Sequence, residues 1–507
     1  MRTKGVVYLV GAGPGDPGLL TVRGQMLLRQ ADVVVYDHLV PSELLAQCPP
    51  NVRLYYVGKE SDKPSPRQPA INAMLIRAAR QGKQVVRLKG GDPCIFGRGG
   101  EEALALAQAK IRYEIVPGVS SAIAVPAYAG IPLTHRNISS SVGIITGHEH
   151  SAKPATSLRW RELAQGCETL VCLMGVGQLP RIAEQLIRHG RAARTPCAAI
   201  EWGTTPAQRT VSGTLATIAA RARRAVLRPP AILVVGPVVA LRRQLSWFER
   251  RPLFGTRLLV TRASENAESF VARLAALGAR VERLPAIELA PMASNGVFRQ
   301  AVDAIPSTDW VFFTSPEGVG WFAKMLKPHR KDLRWLSGCH IGAIGPKTAE
   351  AIDARGLHVD FIPKRFSQDG MLHDLPRRLL EGKRALIFSA QESRDVLIDG
   401  LRRRGMHVTK VPIYRTVVPK SLPAGIRALF RDPFDFVTVT SASCVDHLHE
   451  GLRAAGKPSL FGRLRFASIG PVTSARIRFC GGRVAVEAKH STIEGLIDAL
   501  VTRGKKR

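Results

Sequence analysis

The chain has 507 residues, which is longer than one ordinary domain and predicts three or four. Its composition, 45% hydrophobic and 22% charged, is typical of a globular protein, and no apolar run approaches the roughly 18 residues that cross a membrane. The net charge of +33 suggests nucleic-acid binding. However, the arginines lack the interleaved aromatic residues on which bases stack, since only 6% of the residues are aromatic. A polycarboxylate substrate explains the excess of cations equally well, and so does an arginine-rich surface that reflects only base composition.

Eight cysteines are scattered along the chain, and no two of them form a C-x-x-C pair. This usage predicts a protein of the reducing cytoplasm, with neither a disulfide framework nor a structural zinc site. The first predicted strand follows almost directly on the N-terminus, so we expect no signal peptide. We therefore predict a cytoplasmic protein without a membrane partner and without a metal.

The first predicted element is a buried strand, Val6–Val10, which runs into a glycine-rich turn and then a helical pattern from Leu19. Such a turn lets backbone N–H groups approach a ligand closely. A dinucleotide-binding turn needs glycine at the sixth position of G-x-G-x-x-G, where this chain has Asp16, and Pro14 stiffens the turn further. The pattern favours a different nucleoside-type site, although a plain tight turn explains it equally well.

Two charged residues follow the next predicted strands. Asp37 comes directly after Val33–Tyr36, and Lys59 comes after Tyr55–Val57. A carboxylate and an ammonium group at the same sheet edge form a reasonable acid–base pair beside an anionic ligand. A structural salt bridge between neighbouring loops is the alternative.

A second glycine-rich turn follows the predicted strand Val85–Lys89. It reads Gly-Gly-Asp-Pro from Gly90, and more glycines precede a helix from Glu101. Ligands bind at the carboxyl ends of strands in open α/β sheets, so we expect the two glycine-rich turns to face one pocket. The alternative is that Gly99 and Gly100 only interrupt the chain before the helix from Glu101 and bind no ligand.

Further strands are predicted at 143–146, 170–173, 197–200 and 231–235, with helices between them. A first domain boundary is predicted near Val116–Gly118 and a second at about Ser246–Gly255. The second is short for a linker, so we expect the two halves of the chain to touch.

The C-terminal half contains an internal repeat with an offset of 125 to 127 residues. Asp309–Ser315 resembles Asp435–Ser441, and Ile344–Ala349 resembles Ile469–Ser474. This period is too long for a solenoid and predicts two similar α/β lobes with a cleft between them. Hydroxyl groups at the ends of the repeated strands suit ligand carboxylates, but they also stand where helix caps belong.

The N-terminal motifs together resemble uroporphyrinogen-III C-methyltransferases of the tetrapyrrole methylase family, over about residues 5–249. The resemblance is carried by the two glycine-rich turns and by the following stretches: 35–40, 57–59, 116–121, 130–136, 173–175, 201–205 and 234–239. The family usually has a histidine after the Gly-Lys pair, and this chain lacks it, which puts the contacts of that loop in doubt. The resemblance implies a methylase domain over 1–249, with lobes of about 1–116 and 117–245.

The resemblance also implies roles for individual residues. Asp37 would be the proton acceptor and Lys59 the proton donor. S-adenosyl-L-methionine, the methyl donor, would be bound by Pro14, Gly90, Gly91, Asp92, Ile95, Ser120, Ser121, Met174 and Gly203. Asp92 would contact its ribose or amino group, and Met174 would pack on its adenine. Candidate partners for substrate carboxylates are Arg98, His135 and Arg136, and also Arg23 and Lys89, although each suits a solvated surface equally well.

The C-terminal half resembles uroporphyrinogen-III synthase over about residues 255–503, which implies a second domain at 250–507. The motifs that carry the resemblance are 259–262, 313–319, 343–349, 412–414, 440–443 and 469–473. The family implies two interleaved α/β lobes, in which the segment near 257–288 packs with the last third of the chain. Tyr414 is the candidate for assisting hydroxide departure, or else a half-buried strand residue. The candidate substrate contacts are Ser315, Ser441 and Thr473.

The sequence therefore predicts an α/β protein in which a two-lobed tetrapyrrole-methylase fold precedes a two-lobed uroporphyrinogen-III synthase fold. The predicted function is a bifunctional enzyme that makes uroporphyrinogen III from hydroxymethylbilane and methylates it twice to precorrin-2, for sirohaem or cobalamin. Its partners would be small tetrapyrroles, with no nucleic acid and no membrane, and the family implies a homodimer through the methylase half. Two alternatives remain open, an RNA methylase of the same superfamily and a methylase governed by a non-catalytic sensing module.

Overall fold

The computed structural model describes residues 5–58, 68–147, 158–263, 267–292 and 296–504. It divides into two compact units. The first extends to Arg257 and the second begins at Leu258, except that Arg273–Arg280 is grouped with the first. Each unit contains two five-stranded sheets.

The first sheet is parallel throughout and has the strand order β3-β2-β4-β1-β5. Its strands are β1 (Val6–Gly11), β2 (Val33–Tyr36), β3 (Arg53–Tyr56), β4 (Gln84–Lys89) and β5 (Arg112–Val116). Its helices are α1 (Val22–Leu28), α2 (Ser42–Leu45), α3 (Gln68–Arg80) and α4 (Gly99–Gln108). Helix α5 (Ser121–Tyr128), which follows β5, packs against the second sheet instead. Apolar side chains of β1, β2 and β4 are buried on both faces, as a covered parallel sheet requires.

The second sheet is mixed and has the order β6-β7-β10-β8-β9, with β10 antiparallel to both of its neighbours. Its strands are β6 (Val142–Thr146), β7 (Thr169–Leu173), β8 (Pro196–Glu201), β9 (Arg209–Thr214) and β10 (Ala231–Val235). Its helices are α6 (Trp160–Gly166), α7 (Leu179–Arg188), α8 (Ile218–Arg224) and α9 (Arg242–Leu245). Because β7 and β8 both run opposite to β10, their carboxyl ends lie at the same edge of this sheet.

The third sheet joins the beginning of the second unit to its end, in the order β12-β11-β18-β19-β20. Its strands are β11 (Arg257–Val260), β12 (Arg280–Arg283), β18 (Phe436–Val439), β19 (Arg465–Ser468) and β20 (Arg483–Glu487). Its helices are α10 (Glu268–Ala276), α16 (Leu422–Leu429), α17 (Ala442–Ala454), α18 (Pro471–Phe479) and α19 (Ile493–Gly504). The register places Leu258 opposite Phe436, so two strands far apart in the chain are direct neighbours.

The fourth sheet lies between these segments in the chain and has the order β13-β17-β16-β14-β15, with only β13 antiparallel to its partner. Its strands are β13 (Glu288–Pro291), β14 (Trp310–Phe313), β15 (His340–Ala343), β16 (Arg384–Ala390) and β17 (His407–Val417). Its helices are α11 (Gly296–Ala304), α12 (Pro316–Leu326), α13 (Pro346–Asp353), α14 (Gln368–Asp374) and α15 (Val396–Arg403). The repeat seen in the sequence corresponds to β14 and β15 here and to β18 and β19 in the third sheet.

The core beside the fourth sheet depends on packed aromatic rings. Phe322 of α12 is fully buried, and its ring centroid lies 4.5 Å from that of Phe388 and 5.5 Å from that of Phe313.

Phe322→Ala is expected to lower the free energy of unfolding by about 3–5 kcal/mol, since it removes the ring and leaves a cavity. Chemical unfolding of the variant measures this loss. The matched control is Phe479→Ala on α18, a ring that is 79% exposed, whose replacement is expected to change stability by less than about 1 kcal/mol. Equal losses in both variants would contradict the packing argument.

Candidate functional site

The two glycine-rich turns of the first unit meet at the carboxyl edge of the first sheet. The N–H of Gly13 donates to the carbonyl of Gly91 at 3.2 Å, and the N–H of Gly91 donates to the carbonyl of Gly13 at 2.7 Å. Gly91 has a φ of +68°, which side-chain-bearing residues rarely adopt. The two turns are therefore directly joined, and the prediction that they face one ligand pocket stays a prediction.

A third turn, which follows β5, completes this edge. A Cβ atom added to Gly11 would lie 2.5 Å from the Cα of Gly118, so the two backbones touch. Asp92 joins this turn to the one after β4: its Oδ1 accepts from the N–H of Cys94 at 2.7 Å and its Oδ2 from that of Gly118 at 2.9 Å. The carboxylate predicted to contact a ribose or amino group thus first of all fixes two backbone turns.

The second lobe of the unit supplies the opposite side of the site. Met174 follows β7 and Gly203 follows β8, and both strands end at one edge of the second sheet. The N–H of Asp16 donates to Oγ1 of Thr204 at 3.1 Å, which brings this loop against the first glycine-rich turn. A Cβ atom added to Gly203 would lie 2.2 Å from the Val125 side chain, so only glycine fits there.

The remaining residues predicted for the cofactor lie in the same turns. Their side chains contribute little polar surface, and Ser120 is buried as the N-cap of α5, where its Oγ accepts from the N–H of Ala122 at 3.2 Å. The others are Pro14 and Gly90 in the first two turns, Ile95 after β4 and Ser121 at the start of α5. A cradle of backbone groups with two exposed apolar side chains, Ile95 and Met174, fits a nucleoside-type cofactor.

A tyrosine that the sequence analysis did not single out holds the first turn in place. The hydroxyl of Tyr128 donates to Oδ2 of Asp16 at 2.8 Å, while Oδ1 accepts from the N–H of Gly18 at 2.8 Å. Burial and the bond to Asp16 raise the pKa of Tyr128, so the phenol stays protonated and continues to donate. The rings of Trp247 and Phe248 pack on Tyr128 with centroids 5.1 and 4.8 Å away.

Tyr128→Phe is therefore expected to remove the hydrogen bond that holds the first glycine-rich turn, while the ring keeps its contacts with Trp247 and Phe248. We expect binding of S-adenosylhomocysteine to weaken about three- to tenfold, which corresponds to the loss of one hydrogen bond to a charged group. Titration calorimetry measures this change. Tyr55→Phe on the exposed strand β3 is the matched control and should bind as the unaltered protein does. Identical affinities for all three proteins would show that the Tyr128 hydroxyl does not position the turn.

Asp37 lies where the sequence predicted, directly after β2 at the same sheet edge. Its Oδ1 accepts from the N–H of Leu39 at 3.3 Å, and its Oδ2 lies 3.7 Å from Nη2 of Arg87 in an ion pair. The side chain is 26% exposed, so it can meet a substrate. Lys59, its predicted counterpart, lies outside the described residues. The contact with Arg87 was not predicted; Arg87 is one of two cations, with Lys89, in the otherwise largely apolar strand β4.

Some of the residues predicted to bind substrate carboxylates are exposed, and others form ion pairs within the fold. Arg98, His135 and Arg136 are exposed, and their contact with substrate stays a prediction. Arg23 forms a two-bond ion pair with Glu114, at 2.9 and 2.7 Å, and Lys89 is buried against a glutamate of α4. Both charges already have partners within the fold, and contact of these two side chains with substrate stays a prediction as well.

The second unit brings Tyr414 and Ser315 together at the edge of the fourth sheet. The two hydroxyl oxygens lie 2.9 Å apart, and Ser315 also caps α12 by accepting from the N–H of Gly318 at 3.0 Å. Tyr414 is 8% exposed, and burial raises its pKa. A buried, protonated phenol in contact with a second hydroxyl is suited to donating a hydrogen bond to a leaving oxygen.

The other two hydroxyl candidates lie at the corresponding edge of the third sheet. Ser441 caps α17, since its Oγ accepts from the N–H of Cys444 at 3.2 Å. Thr473 lies in the first turn of α18 and is buried. The capping role predicted as the alternative is thus present at Ser315 and Ser441, and contact of Ser441 and Thr473 with substrate stays a prediction.

Neither a metal-binding cluster nor a membrane-spanning helix is found among the described residues. No group of three or more histidine, cysteine, aspartate or glutamate side chains in these residues is placed to hold a metal ion. Within the same residues, no helix is both long enough and apolar enough to cross a membrane.

Known families match the two halves of the chain separately. The model of the tetrapyrrole (corrin/porphyrin) methylases matches residues 6–219, and that of uroporphyrinogen-III synthase HemD matches residues 268–498. Porphyrin biosynthesis protein HemD of Ruminiclostridium josui is 38% identical over 501 residues, which cover 99% of this chain and 98% of the relative. The chain belongs to the family of tetrapyrrole methylases fused to uroporphyrinogen-III synthase. The fusion predicted from the sequence is thereby confirmed, as is its fold class.

Other similar proteins match part of the chain. A uroporphyrinogen-III C-methyltransferase of Bacillus subtilis is 39% identical over 77% of this chain and 78% of its own length. An S-adenosyl-L-methionine-dependent uroporphyrinogen III methyltransferase of Methanosarcina barkeri is 52% identical over 47% of this chain and 93% of its own. A crystal structure of uroporphyrin III C-methyl transferase from Thermus thermophilus, 43% identical, covers 46% of this chain and 99% of that chain with a TM-score of 0.41.

Proposed function

We propose that this protein carries out two consecutive steps of tetrapyrrole synthesis. The C-terminal half cyclises hydroxymethylbilane to uroporphyrinogen III. The N-terminal half transfers two methyl groups from S-adenosyl-L-methionine to that product, giving precorrin-2 on the route to sirohaem or cobalamin. The observation that carries the proposal is the match of both families in tandem, together with a relative that spans both halves.

In the N-terminal half, the paired glycine-rich turns and the loop after β8 would hold S-adenosyl-L-methionine. When bound, this cofactor supplies an activated methyl group for in-line transfer to a pyrrole carbon. A side chain of the protein must then accept the proton that the macrocycle loses. Asp37 is suited to accept it, because the carboxylate lies partly exposed at the rim of the site and the Arg87 guanidinium, 3.7 Å away, orients it.

In the C-terminal half, the protein must promote loss of hydroxide from hydroxymethylbilane and then control ring closure. The Tyr414 phenol would donate to the departing oxygen, and the Ser315 hydroxyl 2.9 Å away would orient it. The cation left on the substrate is reactive, so the remaining task is to fold the chain of pyrroles and block simple closure. Ser441 and Thr473, at the edge of the third sheet, are the proposed carboxylate contacts.

We further propose that the protein is a cytoplasmic homodimer whose partners are tetrapyrroles, with no nucleic acid and no membrane. An exposed apolar surface supports association through the methylase half. It includes Val22 and Met26 of α1 and Tyr113 and Ile115 of β5, which among the described strands pairs with β1 alone. Apolar side chains grouped at a sheet edge are typical of surfaces that another chain covers.

An anaerobic coupled assay on the whole chain tests both activities. Hydroxymethylbilane is supplied with and without S-adenosyl-L-methionine, and products are identified by chromatography and mass. We expect uroporphyrinogen III without the methyl donor and a dimethylated product with it. Methylation of supplied uroporphyrinogen III alone would leave the N-terminal proposal standing and assign the C-terminal half a sensing role, whereas salt-sensitive methylation of RNA would overturn the substrate assignment.

A further inference from the structure

A buried charged cluster lies behind Asp37, within the first lobe. At its centre is Glu102, in the first turn of α4, whose side chain is 0% exposed. A single oxygen, Oε1, accepts from Nε of Arg87, Nζ of Lys89 and Nε2 of Gln68, each at 3.1 Å. Three donors from β4 and α3 thus converge on one carboxylate oxygen.

The cluster fixes the direction in which Arg87 points. Its Nε is bound by Glu102, and its Nη1 donates to the carbonyls of Val35 at 3.3 Å and Leu88 at 3.2 Å. Nη2 is left to face Asp37 at 3.7 Å. Since a guanidinium is planar and rigid, holding its Nε and Nη1 determines where Nη2 lies.

The charges of the cluster balance. Arg87 and Lys89 are cations on β4, and Glu102 on α4 and Asp37 after β2 are carboxylates. The neutral Gln68 of α3 donates both to Glu102 and to Oδ1 of Asn72, each at 3.1 Å. Burial and the neighbouring Arg87 lower the pKa of Lys89, whereas Glu102 raises it. Without Glu102, two buried cations would compete for Asp37, because a buried charge needs a partner.

We infer that Glu102 is a positioning residue for methyl transfer, which acts by holding the Arg87 guanidinium against Asp37. This inference rests on the proposed function, in which Asp37 accepts the proton. Glu102 touches neither cofactor nor substrate, so its removal should affect the proton-transfer step and leave binding unchanged.

The test uses the full chain with supplied uroporphyrinogen III. Glu102→Gln keeps the shape of the side chain and removes its charge. The double variant Lys89→Met/Glu102→Gln also removes the second cation, so Arg87 and Asp37 remain as a balanced pair and no unpartnered buried charge hinders folding. Glu184→Gln, an exposed glutamate on α7, is the control for loss of a carboxylate. Methylation is followed as kcat and as KM for S-adenosyl-L-methionine, and binding of S-adenosylhomocysteine is measured by calorimetry.

We expect kcat to fall at least about tenfold in both Glu102 variants, with KM and the dissociation constant changed less than about threefold. The control should keep the kcat of the unaltered protein. Unaltered kcat in the double variant would overturn the inference, and so would equal losses in kcat and in affinity. If Glu102→Gln does not fold, the double variant decides alone. An unaltered protein that methylates no uroporphyrinogen III would instead refute the proposed function, so the two failures are distinguishable.

Discussion

Replacing Asp37 with asparagine is expected to lower kcat for methylation of uroporphyrinogen III by about 10²–10⁴-fold. The amide keeps the size of the side chain and the bond from the N–H of Leu39, but it is too weak a base to remove a proton from a carbon of the macrocycle. The initial rate of precorrin-2 formation in an anaerobic assay measures the loss.

Two measurements on the same Asp37→Asn protein separate a chemical defect from a folding defect. Conversion of hydroxymethylbilane to uroporphyrinogen III should proceed at the normal rate, because the second unit is unaltered. Affinity for S-adenosylhomocysteine should stay within about threefold of normal, since the cradle is built from backbone groups of other turns. Retention of even a third of the original kcat would rule out Asp37 as the proton acceptor.

Tyr414→Phe is expected to slow formation of uroporphyrinogen III by about 10- to 100-fold. The ring stays packed in the core beside the fourth sheet, and only the hydroxyl that assists departure of hydroxide is lost. The effect should be smaller than that at Asp37, because the cation formed on the substrate is reactive once hydroxide has left. Chromatographic separation of the ring-closed isomers gives both the rate and the fraction of inverted product.

Ser315→Ala provides the comparison for this variant. It removes the partner of the phenol and the cap of α12, so it should slow the reaction less than Tyr414→Phe and lower stability by about 1 kcal/mol. Methylation of supplied uroporphyrinogen III by the same proteins is the internal control. A normal rate in Tyr414→Phe would leave the second half of the chain without an identified proton donor.

Most strands of the fold could be predicted because their apolar runs are buried on both faces. The predicted strand 231–235 coincides with β10, and those at 143–146 and 170–173 fall one residue short of β6 and β7. Strand β9 was missed, since Arg209–Thr214 contains no apolar run and lies at the edge of its sheet. Its polar residues gain strand geometry from pairing with β8, which is a tertiary effect that local pattern does not contain.

Some parts of the candidate site could likewise be predicted from local sequence, and others could not. Glycines at close backbone contacts and polar residues after strands carry a local signal, and for this reason the turns at Gly13 and Gly91 and the position of Asp37 could be predicted. The partners of these groups come from distant parts of the chain: Tyr128 reaches Asp16 across 112 positions, and Arg87 reaches Val35 across 52. The local sign of the cluster around Glu102 was the presence of two cations, Arg87 and Lys89, in an otherwise largely apolar strand.

The pairing of β11 with β18 determines the order in which the two halves can form during synthesis on a ribosome. The first unit is nearly continuous in sequence, so its sheets can close as soon as about half of the chain has emerged. Strand β11 is made next and can pair with β12 on one side, but its neighbour on the other side, β18, is made some 180 residues later, as the bond from Thr261 Oγ1 to the Thr438 carbonyl spans 177 positions. One edge of β11 therefore stays unpaired while the fourth sheet folds, and a nascent chain that stalls before β18 would carry a finished methylase beside an exposed, aggregation-prone edge.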